Sequence, residues 1–221
     1  SCNSGLKVFG YDNNSDKVKK LQNGTSLIED ISDEMLKKAL QKDLSISDSP
    51  EALKDCEYIV ISVPTPLTDY QPDLSYVKAA ARTIAENISK DQVIILESTT
   101  YPGTTIEVLI PEIESISELK AGKDFHVGYS PERIDPGNET WNFKNTPKVI
   151  SGIDDNSAQK IKNFYEKIID EVVEVSGTKE AEMVKLLENT YRHVNIAFIN
   201  ELAILCNMLD IDIWEVVEAA K

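Results

Sequence analysis

The chain has 221 residues, 41% hydrophobic and 28% charged, the proportions of a folded globular protein rather than a disordered one. A formal net charge of −15 argues against nucleic acid and anionic membrane as partners, and no apolar run approaches the ~20 residues that span a bilayer. A small phosphorylated ligand stays compatible with that charge, because it needs only a few local N–H groups and cations.

Strands and helices alternate along the chain. Leu6–Tyr11 reads as a short buried strand, followed by a helix over Ser15–Asn23 that Gly24 stops. A second helix is expected at Asp33–Gln41 and a short strand at Leu44–Ser47. Tyr58–Val63 is a continuous apolar run, as in a parallel strand covered on both faces. Asp73 suits an N-cap for a helix reaching Ile88, and Gln92–Leu96 is another buried strand. A helix over Thr104–Ile113, strands at Phe125–Tyr129 and Lys148–Ser151, a helix at Ser157–Ile169 and a strand at Val172–Val175 follow. This order implies an α/β fold of Rossmann type, a mostly parallel sheet with right-handed crossovers.

From about Thr178 the pattern changes. Glu180–Met208 contains no proline or glycine, and Val184, Leu187, Tyr191, Val194, Phe198, Leu202 and Leu205 mark one apolar stripe. Asp210 or Asp212 caps a last helix through Trp214 and Val217. A domain boundary is therefore placed near residue 176, with a nucleotide-type domain over 1–176 and the start of a helical domain over 177–221.

Asp12 ends the first strand, the place where a dinucleotide fold carries the acid that binds the adenosine ribose. That acid follows a glycine-rich turn by about 20 residues, yet only eleven residues precede Asp12 here, so the first strand and its glycine turn are expected to be missing. The plainer alternative is that Asp12 starts a turn or caps the Ser15 helix. Three strands end in polar, proline-rich loops: Val63–Pro66, Glu97–Gly103 and Tyr129–Asn138. Ligands of open α/β sheets bind beyond such strand ends. Lys185 and Asn189, four apart, share a helical face; the bland reading of Lys185 is a surface lysine lying along apolar neighbours. The three cysteines, Cys2, Cys56 and Cys206, are far apart without metal-ligand spacing, which points to a reducing, cytoplasmic setting and no metal.

The segments VFGYD, VPTPLTDYQPDLSYV, ESTTYPGTT, GYSPERIDPGN and VKLLENTYRHVNIAFINELA together resemble the UDP-glucose/GDP-mannose dehydrogenase family over the whole chain. SPERIDPGN, KLLENTYRHVNIAFINE and DIWEVVEAA are most similar to the branch acting on UDP-N-acetylglucosamine; the branches acting on UDP-N-acetylmannosamine and UDP-N-acetylgalactosamine are neighbours.

That resemblance implies oxidation of a sugar C6 alcohol to a carboxylate, with two hydrides passing to NAD+ and a thioester formed on a cysteine and hydrolysed. It implies cofactor contacts at Asp12, Lys17, Pro64, Thr65 and Thr99, with Thr99 also holding a water. Glu132 would assist hydrolysis, Lys185 and Asn189 would stabilise the oxyanion, and Arg133, Arg192 and His193 would reach the substrate. A homodimer through the long helix is expected. The family's glycine-rich turn, its GGHC-type cysteine segment and its UDP-binding C-terminal domain are not found in this sequence, and Pro136 stands where several members carry a cofactor-contacting glutamate. The 221 residues alone are accordingly expected to be inactive. Two other readings are a truncated binding or dimerisation module and a different Rossmann oxidoreductase of the 6-phosphogluconate type.

Overall fold

The computed structural model describes residues 5–28, 31–134, 140 and 142–220. Cys2, Pro136 and the 135–138 part of the third loop lie outside them. The chain divides into two compact units, Ser1–Met183 and Val184–Lys221, taken here separately.

The first unit runs β1 (Val8–Tyr11), α1 (Ser15–Gln22), α2 (Asp33–Leu40), β2 (Leu44–Ser47), a 3-10 turn (Pro50–Asp55), β3 (Tyr58–Ile61), β4 (Leu67–Thr68) and β5 (Gln71–Pro72). It continues through α3 (Ser75–Ala85), β6 (Val93–Leu96), a π-helical turn (Thr105–Leu109), α4 (Ile110–Ser117), β7 (His126–Tyr129), β8 (Lys148–Gly152), α5 (Asp155–Tyr165) and β9 (Val172–Glu174), ending in the first turns of α6 (Thr178–Met208).

Side-chain caps set several helix starts. Asn14, Ser32 and Asp154 accept backbone N–H groups at the openings of α1, α2 and α5, satisfying donors that have no partner within the helix. Asp73 stands two residues before α3 and accepts the Ser75 amide at 2.8 Å, one position earlier than a true N-cap. The helix expected at Thr104–Ile113 opens as a π turn and continues to Ser117. Pro111 explains the wide turn: it has no N–H and its ring crowds the carbonyl four residues back, which a π turn relieves.

Strand order in the main sheet is β3-β6-β7-β8-β9. β3, β6 and β7 are parallel, as their apolar runs suggested, but β8 is antiparallel to β7. Gly128 and Gly152 face each other across that pair; a Cβ on Gly128 would lie 2.0 Å from the Ser151 carbonyl oxygen, and one on Gly152 2.2 Å from the Ala158 nitrogen. Only glycine allows α5 and β8 to approach so closely. The core lies between this sheet and α5, where Val93, Ile95, Ile150, Ile161 and Tyr165 are almost wholly buried. Burying each such side chain stabilises the fold by about 1.5–3 kcal/mol.

β1 and β2 form a separate parallel pair. Between β1 and β3 lies a cavity of about 840 Å³, lined by Val8 and Phe9 on one side and Tyr58, Val60, Phe164 and Tyr165 on the other. The sheet is thus interrupted where, in the usual doubly wound order, one more strand stands between these two.

The second unit is the remainder of α6 and a short α7 (Ile213–Ala219). Asp212, rather than Asp210, caps α7 by accepting the Trp214 amide at 2.8 Å; Asp210 instead takes φ 56° in the turn before it.

Candidate active site

Asp12 follows β1 at its carboxyl end. One carboxylate oxygen accepts the Asn14 amide at 3.0 Å and the other is ion-paired with Lys17. Partial burial pushes this carboxyl up, but the Lys17 hydrogen bond, the Asn14 amide and the Lys17 charge outweigh it and hold it below the usual carboxylate range. Asn14, not Asp12, caps α1, so the capping alternative for Asp12 is corrected. Asp12 does open a turn, and its carboxylate is ionised and partly exposed, which suits acceptance from a diol.

The loop after β3 passes through exposed Pro64 and half-buried Thr65. It then makes a two-residue hairpin, β4–β5, with Asp69 and Tyr70 both at positive φ, 51° and 63°. The sequence does not announce that hairpin, because its turn has none of the glycine or asparagine that usually marks such a backbone. The Ser98 hydroxyl ties this loop to the next by donating to the Val63 carbonyl at 2.8 Å.

After β6 the chain runs Glu97, Ser98, Thr99, Thr100. Thr99 is exposed, whereas Thr100 is buried and its hydroxyl oxygen has no well-aligned hydrogen-bond partner among the described residues, although the Tyr129 phenol lies beside it. Burial and the charge of Glu182 push the Tyr129 phenol far above its ordinary value. A buried hydroxyl without an aligned partner is suited to holding a water. Thr100, next to the expected water-holding Thr99, is therefore a second candidate for that task.

Glu182, in the second turn of α6, was also missed. It is fully buried and accepts the amides of Gly103 and Thr105 at 2.5 and 2.8 Å and the Thr105 hydroxyl at 2.7 Å. These donors open the π turn, where helix N-terminal N–H groups favour an anion.

After β7, Glu132 accepts the Ile134 amide at 2.7 Å, and Arg133 donates to the Pro147 carbonyl at 2.7 Å. Lys148, at the start of β8, is buried, with its ammonium 2.7 Å from Glu97 and 3.6 Å from Glu132. The Glu97 contact is set by distance and lies off the ideal hydrogen-bond direction, which a rotating ammonium tolerates. The Tyr165 hydroxyl donates to the same Glu97 oxygen at 2.5 Å. Burial first, then the Glu97 charge, raises the Tyr165 phenol well above its ordinary value, so it stays a donor.

In the second unit, Lys185 is half-buried on α6, while Asn189, Arg192 and His193 are exposed on the turns that follow. Cys56 and Cys206 are free thiols. Burial and then Asp55 raise the Cys56 thiol, which donates to the Ala52 carbonyl at 3.4 Å, the reverse of an activated nucleophile. Among the described residues no cluster suits a metal ion, and no helix is long and apolar enough to cross a membrane.

An open, mostly parallel α/β sheet with a ribose-type acid after β1 and polar loops at successive strand ends defines a dinucleotide-binding domain of dehydrogenase type. The chain belongs to the UDP-glucose/GDP-mannose dehydrogenase family: residues 2–169 match its NAD-binding domain and residues 179–221 its central domain. It is 39% identical to protein CapL of Staphylococcus aureus over 97% of this chain and 50% of that protein. It is 37% identical to a UDP-N-acetyl-D-glucosamine 6-dehydrogenase of Salmonella typhi, with the same shares covered, 97% and 50%. The solved UDP-D-ManNAc dehydrogenase of Pyrococcus horikoshii superimposes with a TM-score of 0.92 at 37% identity, over 99% of this chain and 52% of that one. The chain therefore spans about half the length of the curated relatives it matches.

Proposed function

We propose that the full-length protein oxidises the C6 alcohol of a UDP-sugar to the carboxylate, with UDP-N-acetylglucosamine as substrate, in the cytoplasm, to supply surface-polysaccharide precursors. The observation that carries this reading is the polar set at one edge of the family's NAD-binding domain: Asp12 after β1, Thr99 and Thr100 after β6, and Glu132 after β7. NAD+, when bound, supplies the hydride acceptor. Asp12, kept ionised by Lys17, would hold the adenosine ribose; Pro64, Thr65 and Thr99 would line the rest of the cofactor site.

Glu132 would take the proton of the water that hydrolyses the thioester. Lys185 and Asn189, one turn apart on α6, offer an ammonium and an amide to an oxyanion. Arg133, Arg192 and His193 would contact the substrate, and α6 would join two copies. The two family matches break between residues 169 and 179, which supports a domain boundary near residue 176.

One relative named as a UDP-N-acetyl-D-mannosamine dehydrogenase is likewise 37% identical, so the sugar is chosen by assay. The full-length protein is given UDP-N-acetylglucosamine, UDP-N-acetylmannosamine, UDP-N-acetylgalactosamine or UDP-glucose with NAD+, and NADH is followed. Two NADH per sugar, fastest with UDP-N-acetylglucosamine, is expected. No turnover of any UDP-sugar would sink the reading. The 221-residue chain alone is expected to form no NADH, since neither Cys56 nor Cys206 stands in the family's nucleophile motif.

A further inference from the structure

Lys148 is a buried cation to which the proposed reaction gives no role. Its position follows from topology. Because β8 runs antiparallel to β7, its first residue lies at the carboxyl end of β6 and β7, the edge where α/β sheets bind ligands. The β7–β8 register pairs Gly128 with Gly152 and Tyr129 with Ser151; continued past the end of β7, it sets Glu132 opposite Lys148. The Ser130 hydroxyl, donating to the Val149 carbonyl at 2.8 Å, keeps the two chains together over that extension.

We propose that Lys148 is a positioning residue for hydrolysis: its ammonium joins Glu97 to Glu132 and fixes where the Glu132 carboxylate stands when water attacks. The inference rests on the reading of Glu132 as the hydrolytic carboxylate. The surroundings divide the labour. Glu97 is anchored from below by the Tyr165 hydroxyl, and the Tyr165 ring lies 5.2 Å beneath the ammonium. The Lys148 side chain is 5% exposed and that of Glu132 42%. A rigid, dry cation therefore holds a carboxylate that reaches solvent. Two carboxylates at one strand edge repel each other; the shared ammonium between them offsets that repulsion and holds Glu132 in place beside the strand end. In the hydrolytic step a water oxygen bonds to the acyl carbon, its proton passes to Glu132, and the carbon–sulfur bond breaks with the thiolate leaving.

The test uses the full-length protein, NAD+ and the UDP-sugar that the wild type oxidises, with stopped-flow detection of NADH. Lys148→Met is expected to keep the first-turnover burst while the steady-state rate falls about 10–100-fold, with KM for the sugar little changed. Lys148→Arg restores most of the rate. Should Lys148→Met fold poorly, Glu97→Gln/Lys148→Met removes the buried pair together and is expected to show the same retained burst. Burst and steady state falling together, or neither falling, overturns the inference while leaving the functional reading intact. A wild type inactive on every UDP-sugar overturns both.

Discussion

Glu182 shows how much one buried side chain can hold. Its carboxylate takes three hydrogen bonds and ties the start of α6 to the loop that carries Thr99 and Thr100. In Glu182→Gln, one accepting oxygen becomes a donor facing N–H groups. The expected cost is about 2–3 kcal/mol of unfolding free energy, read from urea denaturation followed by circular dichroism. An unchanged midpoint would show that these hydrogen bonds add nothing net to stability. His126, buried at the start of β7, gives a pH signature. Burial first, then the Lys160 charge, lowers its pKa, against weaker pulls from Asp154 and Asp91. A lowered folded pKa means that the unfolded chain binds the proton more readily. The stabilisation is therefore present above the ordinary histidine value of about 6.5 and is lost as pH falls below it. His126→Gln should flatten the stability–pH slope in that window; a slope as steep as the wild type's would assign it to other groups.

At the residue scale the sequence was informative where chemistry and place coincide. Asp12 stands after a strand, and an acid there has a recognised task. It was uninformative where two like residues adjoin: ESTT contains two threonines, and only the backbone decides that Thr99 faces out and Thr100 in. Glu182 lay within a charged stretch, TKEAE, in which no pattern distinguishes the buried acid from its exposed neighbours.

Among the elements, apolar runs located β3, β6 and β7 to within a residue or two, because strands buried on both faces, as β6 and β7 are, are largely apolar; β3 has the same pattern although Val60 is exposed beside the cavity. Strand direction leaves no such trace. A strand beginning at Lys148 is expected from its apolar run without a direction; parallel to β7 it would place Lys148 at the opposite edge from the loops, and its antiparallel course brings it beside Glu97 and Glu132. The interrupted sheet has its own consequence. β6 is paired on both sides and its four residues are fully buried, whereas among the described residues β1 is paired with β2 alone and borders the cavity. Amide hydrogen exchange should be slowest in Val93–Leu96 and markedly faster in Val8–Tyr11, because local opening of an edge pair needs no opening of the core. Equal protection would show that some other packing closes the gap.

At the scale of the molecule, the unexplained surface lies on the second unit. Leu187, Tyr191, Val194, Phe198 and Leu205 recur at helical spacing along α6, and each is at least 49% exposed in the single chain. Scattered apolar residues on a surface need no explanation, but an aligned series over five turns marks an interface. A second copy is the occupant we favour, since one helix face meeting its own image satisfies two-fold symmetry with a single sequence pattern. The apolar stripe was readable from the 3.6-residue period; what covers it was not, because periodicity identifies a buried face without naming its partner. Sedimentation velocity should find a dimer whose dissociation constant rises at least about 100-fold in Val194→Glu/Phe198→Glu, since each carboxylate would have to be desolvated within the apolar contact. Ala79→Glu/Thr83→Glu, on α3, adds the same two charges and should leave the dimer intact. A wild type that sediments as a monomer at all concentrations would rule out self-association through α6 and leave that face to a different partner.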